Sequence, residues 1–296
     1  GALMVCRVGM RRLLALGGRK FSLTAFMFGQ SDGFYYDFTK TDRHFQEHTG
    51  PTLADDVGEV IGLSFDQRTW GGNVLSSALG PELVPDPTFS SSSGFTLQTD
   101  WSIASGVATK VSGAVGGAVY PTGSLVVVGG TYCTSYRITA RTSGACIVDI
   151  GSVGGIPRST TGTFTEYIRA TVANGAPTVS GMLFYGNSAF AGAVDDWSVK
   201  IVPGYSAIQD TGTMKPTRQT SGAKFDGTDD NLLTTYYAGS GSNFIVAIVT
   251  VPASIASTQL FAGSRTDSST RLAIGFNTSG YVCGLVGSQD QNTIVG

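Results

Sequence analysis

The stretch Tyr132-Cys133-Thr134-Ser135-Tyr136-Arg137-Ile138-Thr139 alternates Tyr, Thr, Tyr and Ile with small or polar residues. Successive side chains of a strand point to opposite faces, so this alternation predicts a strand with one buried side. Turn signals recur about every 8 to 12 residues, and no helical period of useful length appears after residue 74. The other predicted strands are 126–128, Cys146–Ile150, 164–172, 182–185, 197–202, 244–251, 260–263, Arg271–Phe276 and 281–286. The sequence therefore predicts an all-β fold.

The composition of the 296 residues excludes several protein classes. The chain holds 41 glycines, only 14% charged residues and 41% hydrophobic residues, with a net charge of −2 at pH 7. It is too apolar to be disordered, and its low content of Glu, Lys and Leu argues against a helical bundle. It has no basic surface to bind nucleic acid. No stretch approaches the roughly 20 apolar residues of a membrane span.

The cysteines do not show the C-x-x-C spacing of a zinc or redox site. Cys133 and Cys146 are close enough in sequence to suggest a hairpin disulfide. If the turn is centred on Ser143-Gly144, however, Cys146 lies opposite about residue 141 and not opposite Cys133. We expect all four cysteines to be reduced and mostly buried: Cys6, Cys133, Cys146 and Cys283.

Two linker-like stretches, Pro85-Asp86-Pro87 and Pro203-Gly204, bracket a block of the size of one sandwich. Within it, the strings at 79–84, 101–108 and 194–199 resemble a phage-borne jelly roll that is similar to carbohydrate-binding modules of the galactose-binding-like type. The flanks resemble the concanavalin-A-like (laminin-G-like) sandwich of phage structural proteins. The strings that carry this second resemblance are 33–37, 45–46, 60–63, 215–217 and 225–230.

The resemblance implies an all-β protein of two antiparallel β-sandwiches, a galactose-binding-like jelly roll inserted in a concanavalin-A-like sandwich, with a short N-terminal arm. The expected boundaries are an anchoring arm at 1–32, the first part of the lectin-like sandwich at 33–78, the inserted module at 79–203, and the second part at 204–296. The last segment supplies few strands, so the lectin-like sandwich either borrows strands or is incomplete.

The motifs of this sequence that resemble enzyme active sites lack the context that their chemistry requires. His44-Phe45-Gln46-Glu47-His48 has the H-x-x-E-H spacing of inverted zinc proteases, but its flanks do not sustain a helix, so we expect solvated or interfacial histidines. A glycosidase needs two carboxylates that face each other across a sugar bond. The pairs Asp55-Asp56, Asp195-Asp196 and Asp229-Asp230 are adjacent residues, which on a strand point to opposite faces. We therefore predict a protein that is not an enzyme.

Two binding sites remain candidates. Jelly rolls of the resembled type often hold one structural calcium, and Glu82, Asp195 and Asp196 match its place along the chain. The alternative is that these residues are plain acids of turns or edge strands. No other cofactor is expected. Aromatic residues are candidates for a sugar platform, whereas Trp101 and Trp197 are predicted to lie in the core. The candidate sugar-binding residues are Tyr120, Tyr132, Tyr185, Tyr236 and Tyr237.

The resemblance implies a non-enzymatic bacteriophage virion structural protein, a tail fibre, tail spike or head/collar fibre subunit at the particle surface. Such a subunit attaches to a host-surface glycan or decorates the particle, is anchored to other virion proteins through the arm, and forms a homo-oligomer, by class a trimer. The alternative is a carbohydrate-binding module of a secreted bacterial polysaccharide-degrading enzyme.

Overall fold

The computed structural model describes the side chains of 36–49, 52–66, 79–111, 117–123, 126–171, 181–186, 189–226 and 229–234, and further strands outside these ranges. The prediction of an all-β fold is confirmed: the described residues contain no α-helix, only a 3-10 turn at Gly212–Met214. They contain no helix that is long and apolar enough to cross a membrane. The strands are β1 (Met4–Val5), β2 (His44–Phe45), β3 (Leu63–Ser64), β4 (Phe95–Leu97), β5 (Trp101–Ala104), β6 (Val107–Lys110), β7 (Ala118–Pro121), β8 (Thr131–Ser143), β9 (Cys146–Ile150), β10 (Val153–Gly154), β11 (Gly162–Arg169), β12 (Met182–Gly186), β13 (Ala191–Val202), β14 (Ala207–Ile208), β15 (Thr217–Gln219), β16 (Gly222–Lys224), β17 (Leu233–Thr234), β18 (Val246–Ala247), β19 (Gln259–Arg265), β20 (Arg271–Phe276), β21 (Val282–Val286) and β22 (Gln289–Gln291).

The chain divides into two compact units. One unit combines Gly1–Phe26 with Tyr236–Gly296 and contains the pair β1–β18 and the antiparallel sheet β19-β20-β21-β22. The other unit is Met27–Thr235. Apart from β1, the predicted anchoring arm at 1–32 lies outside the described residues. The predicted domain boundaries stay a prediction.

A β-sandwich forms the body of the second unit. Its front sheet has the strand order β10-β9-β12-β7-β4, and its back sheet has the order β11-β8-β13-β6-β5. Aromatic rings from the two sheets meet in the core, where the ring centroid of Phe184 lies 5.0 Å from that of Tyr136 and 5.7 Å from that of Trp197. The prediction that Trp101 and Trp197 are core residues is confirmed, since they are 6% and 0% exposed.

The turn after β8 carries the chain from one sheet to the other. β8 pairs with β11 and β13, whereas β9 pairs with β10 and β12. The strands that contain Cys133 and Cys146 therefore do not form the hairpin that the spacing of the two cysteines suggested. Gly144, at φ 69°, lies at this crossing. Both cysteines are free thiols, as predicted, and burial is the main cause that raises the pKa of Cys133 to about 11 and that of Cys146 to about 12. The side chains of Cys6 and Cys283 lie outside the described residues.

The stretch 126–128 is not a strand, contrary to the prediction. It belongs to the loop between β7 and β8, where Val126 is buried but Val127 and Val128 are 63% and 55% exposed. An apolar run of three residues is too short to distinguish a strand from a loop that buries one side chain.

A third sheet, with the order β17-β14-β3-β2, packs on the outer side of the back sheet. Glu166 and Ile168 of β11 point into the sandwich core, so Tyr167 between them points outward. The ring of Tyr167 lies 5.1 Å from that of Phe45 and 4.9 Å from that of Phe65, measured between centroids. The third sheet therefore covers part of the outer side of the back sheet, and it joins strands that precede residue 79 to strands that follow residue 203.

His44 is a structural residue of this third sheet. It begins β2, is fully buried and stacks on Phe38. Its Nε2 lies 3.1 Å from the carbonyl oxygen of Asp37 and donates to it, and its Nδ1 lies 3.0 Å from Oγ of Ser64. The expected absence of a helix is confirmed for this string, but the expectation of a solvated histidine is wrong for His44. Both ring nitrogens therefore have protein partners in this fold.

Glu166 is a buried carboxylate whose partners link the two sheets. Its Oε1 accepts hydrogen bonds from the Tyr136 hydroxyl at 2.8 Å and from Nε of Arg158 at 3.1 Å, and its Oε2 accepts one from the Ile156 N–H at 2.8 Å. The Arg158 guanidinium lies 4.7 Å from the centroid of the Phe164 ring. Because the carboxylate is paired and hydrogen-bonded, its burial is tolerated.

We expect Glu166→Ala to lower the free energy of unfolding by about 3–5 kcal/mol, since it leaves the guanidinium of Arg158 without its anion inside the protein. Asp196→Asn, which removes the charge of an ion pair with Arg137 whose side chains are 53% and 46% exposed, is the control and costs less than about 1 kcal/mol. Urea denaturation measures both variants. Equal losses in the two would contradict a stabilising role for the buried pair.

Acid should destabilise this unit through His44. Burial, the largest cause, lowers the pKa of His44 from 6.5 to about 4, so the fold holds a neutral ring. Between about pH 6.5 and pH 4, His44 is protonated in the unfolded chain but stays neutral in the folded protein. The folded state therefore loses about 3 kcal/mol of stability as the pH falls through this range. His44→Gln removes this part of the pH dependence and His48→Gln retains it, as urea denaturation at several pH values would show. The same pH dependence in His44→Gln and the wild-type protein would refute the assignment.

Candidate functional site

The outer side of the front sheet displays two of the predicted sugar-binding tyrosines. Val119, Val148 and Phe184 point into the core and are fully buried. Because side chains alternate along a strand, Tyr120 of β7 and Tyr185 of β12 point outward. Both tyrosines are partly exposed.

Strand pairing brings these side chains into one patch. Asp149 of β9 also points outward and lies opposite Leu183 on β12 and Gly154 on β10. Tyr185 lies opposite Ile147 on β9 and Ala118 on β7, and Tyr120 lies opposite Thr96 on β4. We call this patch the outer face; it consists of Thr96, Ala118, Tyr120, Ile147, Asp149, Gly154, Leu183 and Tyr185. Ala118 and Leu183 are buried within it, and the other six residues are partly or fully exposed.

The two tyrosines are diagonal neighbours across the paired strands β7 and β12. Tyr120 lies two positions from Ala118, the residue that pairs with Tyr185. Diagonal neighbours in a sheet are roughly 7–8 Å apart, which is within reach of large aromatic side chains. The pair therefore presents a continuous aromatic surface.

Asp149 is the charged group of the outer face. Partial burial raises its pKa, and a hydrogen bond from the backbone N–H of Ser152 acts against this rise. Partial burial and, after it, the negative charge of Asp149 raise the pKa of the Tyr185 hydroxyl. The two residues are diagonal neighbours across β9 and β12, because Asp149 lies opposite Leu183, two positions from Tyr185; such neighbours are roughly 7–8 Å apart. The patch thus combines aromatic rings with a strong hydrogen-bond acceptor.

The other predicted sugar-binding tyrosines are not on this patch. Tyr132 is 1% exposed in the core, and its hydroxyl oxygen accepts a hydrogen bond from the Val127 N–H at 2.7 Å. The prediction that Tyr132 contacts a sugar is therefore wrong, because its ring has no access to solvent. Tyr236 and Tyr237 lie outside the described residues.

The structure does not bring Glu82, Asp195 and Asp196 into one ligand set. The groups of clustered acidic residues found among the described residues do not include them. Glu82 instead ties the start of the sandwich to its last strand, because its carboxylate accepts hydrogen bonds from the backbone N–H groups of Leu83, Val84 and Val199 and from the hydroxyl of Ser198. Protein donors thus satisfy the Glu82 carboxylate, and the calcium site stays a prediction.

A β-bulge explains the behaviour of the adjacent pair Asp195-Asp196. The register of β13 against β8 shifts between Asp195 and Ser198, and Asp196 has a φ of 53°. Both carboxylates consequently bind Arg137, with N–O distances of 2.7 Å from Asp195 and 2.9 Å from Asp196. The expectation that adjacent acids point to opposite faces is wrong here, since a bulge breaks the alternation. A cation of the protein occupies the position between the two acids.

The other acidic groups lie in turns. The carboxylates of Asp55, Asp56 and Glu59 form one cluster, and those of Asp226, Asp229 and Asp230 form another. Glu59 accepts a hydrogen bond from the Asp56 N–H, and Asp226 accepts from the N–H groups of Asp229 and Asp230. These bonds stabilise turns. A pocket of about 240 Å³ adjoins the second cluster and is also lined by Lys215, Thr217 and Lys224.

Sequence reasoning missed Asp149, the acid of the outer face. The signal was present, because the string Cys146-Ile147-Val148-Asp149-Ile150 alternates and places Asp149 on the side opposite Val148. What the string lacked was any indication that Tyr185 and Tyr120 belong to the neighbouring strands.

No family model and no curated protein sequence matches the chain. Solved structures similar to part of it include the N-terminal cellulose-binding domain of β-1,4-glucanase C from Cellulomonas fimi, at 19% identity and a TM-score of 0.29, which covers 41% of this chain and 97% of that chain. A second, described as "CBM4 structure and function", has 17% identity and a TM-score of 0.27 and covers 41% of this chain and 100% of that chain. At these scores, any functional assignment depends on the side chains of the outer face.

Proposed function

We propose that this chain is a non-catalytic carbohydrate-binding protein that holds a polysaccharide on the outer face of its front sheet. The pair Tyr120–Tyr185 supplies rings that stack on the apolar faces of sugar units, and Asp149 accepts hydrogen bonds from sugar hydroxyls. The observation that carries the proposal is the placement of these three side chains on one side of three adjacent strands, β9, β12 and β7.

The covered back sheet supports this choice of surface. Where the back sheet turns Tyr167 outward, the third sheet buries it to 4% exposure. Tyr120 and Tyr185 keep partial exposure on the front sheet. Aromatic side chains that stay exposed on a sheet, when comparable ones elsewhere are buried, suit a binding role.

The charge content of the outer face supports binding without hydrolysis. Glycoside hydrolysis needs two carboxylates on either side of the scissile bond. Among the residues of the outer face, Asp149 alone is a carboxylate, so the patch lacks the second group. The proposed activity is therefore reversible binding.

The setting of this binding activity stays a prediction from the sequence. A phage appendage at the virion surface, anchored by its N-terminal arm and assembled as a trimer, would use the outer face to attach to a host glycan. A module of a secreted polysaccharide-degrading enzyme would use the same face to hold its substrate. The proposed binding chemistry is common to both.

We expect the wild-type protein to bind at least one polymer of a panel of mixed-linkage β-glucan, xylan, galactan, mannan and amylose. Tyr185→Ala and Tyr120→Ala should each weaken that binding by about tenfold or more, because each removes a ring that stacks on a sugar. Affinity gel electrophoresis finds the polymer, and isothermal titration calorimetry measures the dissociation constants.

Phe225→Ala is the matched control, since it removes a ring that is 43% exposed on another part of this unit. It should change the dissociation constant by less than about twofold. The proposal fails if wild-type protein binds none of the polymers, or if both tyrosine variants bind as tightly as the control.

A further inference from the structure

The outer face carries a single, negative charge. Asp149 is flanked across the sheet by Gly154 and Leu183, which are uncharged. The remaining members are Thr96, Ala118, Tyr120, Ile147 and Tyr185, and none of them is charged at neutral pH. The electrostatic character of the patch is therefore set by one carboxylate.

The cations near β9 do not neutralise this carboxylate. Arg158 points its Nε at Glu166 in the core, and Nε of Arg141 donates to the carbonyl oxygen of Gly144. The ion pairs of the described residues do not include Asp149. The Ser152 N–H donates a hydrogen bond to it, and Tyr185 is its diagonal neighbour across β9 and β12. Asp149 thus presents an uncompensated negative charge to a ligand.

We infer that Asp149 makes the outer face selective for uncharged polysaccharides and excludes polymers that carry carboxylate groups. This inference rests on the proposed function, because it concerns the ligand of the same patch. Asp149 accepts hydrogen bonds from neutral hydroxyls, whereas a carboxylate on the ligand has no donor to offer and is repelled.

The partial burial of Asp149 strengthens this discrimination. Repulsion between like charges grows as water is removed from around them, and salt screens partly buried charges less than fully exposed ones. Discrimination against a wrong ligand commonly uses such a repulsive group in addition to attractive contacts. A ligand carboxylate that docks beside Tyr185 would lie near Asp149, because the two residues are diagonal neighbours across β9 and β12.

The test compares two derivatives of the polysaccharide that the wild-type protein binds. One is carboxymethylated and the other is hydroxyethylated to the same degree, so the substituents are similar in size and differ in charge. Wild-type protein should bind the carboxymethylated polymer on the order of tenfold more weakly than the hydroxyethylated one at low salt. Asp149→Asn, which keeps the shape of the side chain, should reduce this ratio to about twofold or less.

Asp196→Asn is the matched control, because it removes the same charge from the outer side of the back sheet and should keep the wild-type ratio. The inference is overturned if Asp149→Asn keeps that ratio, or if wild-type protein binds the two derivatives equally, while both still bind the unmodified polymer through Tyr185. A failure of the proposed function gives another result, because the wild-type protein then binds no neutral polymer. That result also overturns the inference.

Discussion

Three aromatic rings, those of Phe45, Phe65 and Tyr167, meet on the outer side of the back sheet with centroid distances of 4.9 to 5.1 Å. This contact attaches the third sheet to the sandwich, and with it the segments before residue 79 and after residue 203. A large buried aromatic side chain contributes more to packing than any other residue type in such a contact. The same contact removes part of the outer side of the back sheet from solvent, which is why we propose the front sheet as the binding surface.

Three buried or partly buried polar side chains of this unit have partners that stabilise the fold, and Asp149 of the outer face differs from them. Glu166 has Arg158 and Tyr136, the ring of His44 lies between Asp37 and Ser64, and Glu82 accepts hydrogen bonds from three backbone N–H groups. Asp149 is a half-buried carboxylate diagonal to Tyr185, and within the part of the chain that the structure describes it belongs to no ion pair. A carboxylate that does not stabilise the fold in this way is suited to bind a ligand.

The period of a strand is encoded by neighbouring residues, whereas its bulges and its pairing partners are not. The alternation of Tyr132 to Thr139 predicted β8 correctly, because the period of two depends only on neighbouring residues. The same rule misplaced Asp195 and Asp196, since a bulge in β13 adds residues that have no partner on β8. The hairpin suggested by the spacing of Cys133 and Cys146 was wrong for a related reason: alternation says which side of a strand is buried and not which strand lies beside it.

The sequence by itself determined that this protein is all-β, that Trp101 and Trp197 lie in the core and that Cys133 and Cys146 stay reduced, because strand period, burial of large rings and the absence of metal spacing can be read from short strings. Only the tertiary structure decided that Tyr120 and Tyr185 lie on the same side of the front sheet as Asp149 and stay partly exposed, while Tyr132 is buried. Exposure depends on what packs against each side of a sheet, and here the covering strands come from segments more than 100 residues apart along the chain. No local pattern carries that information.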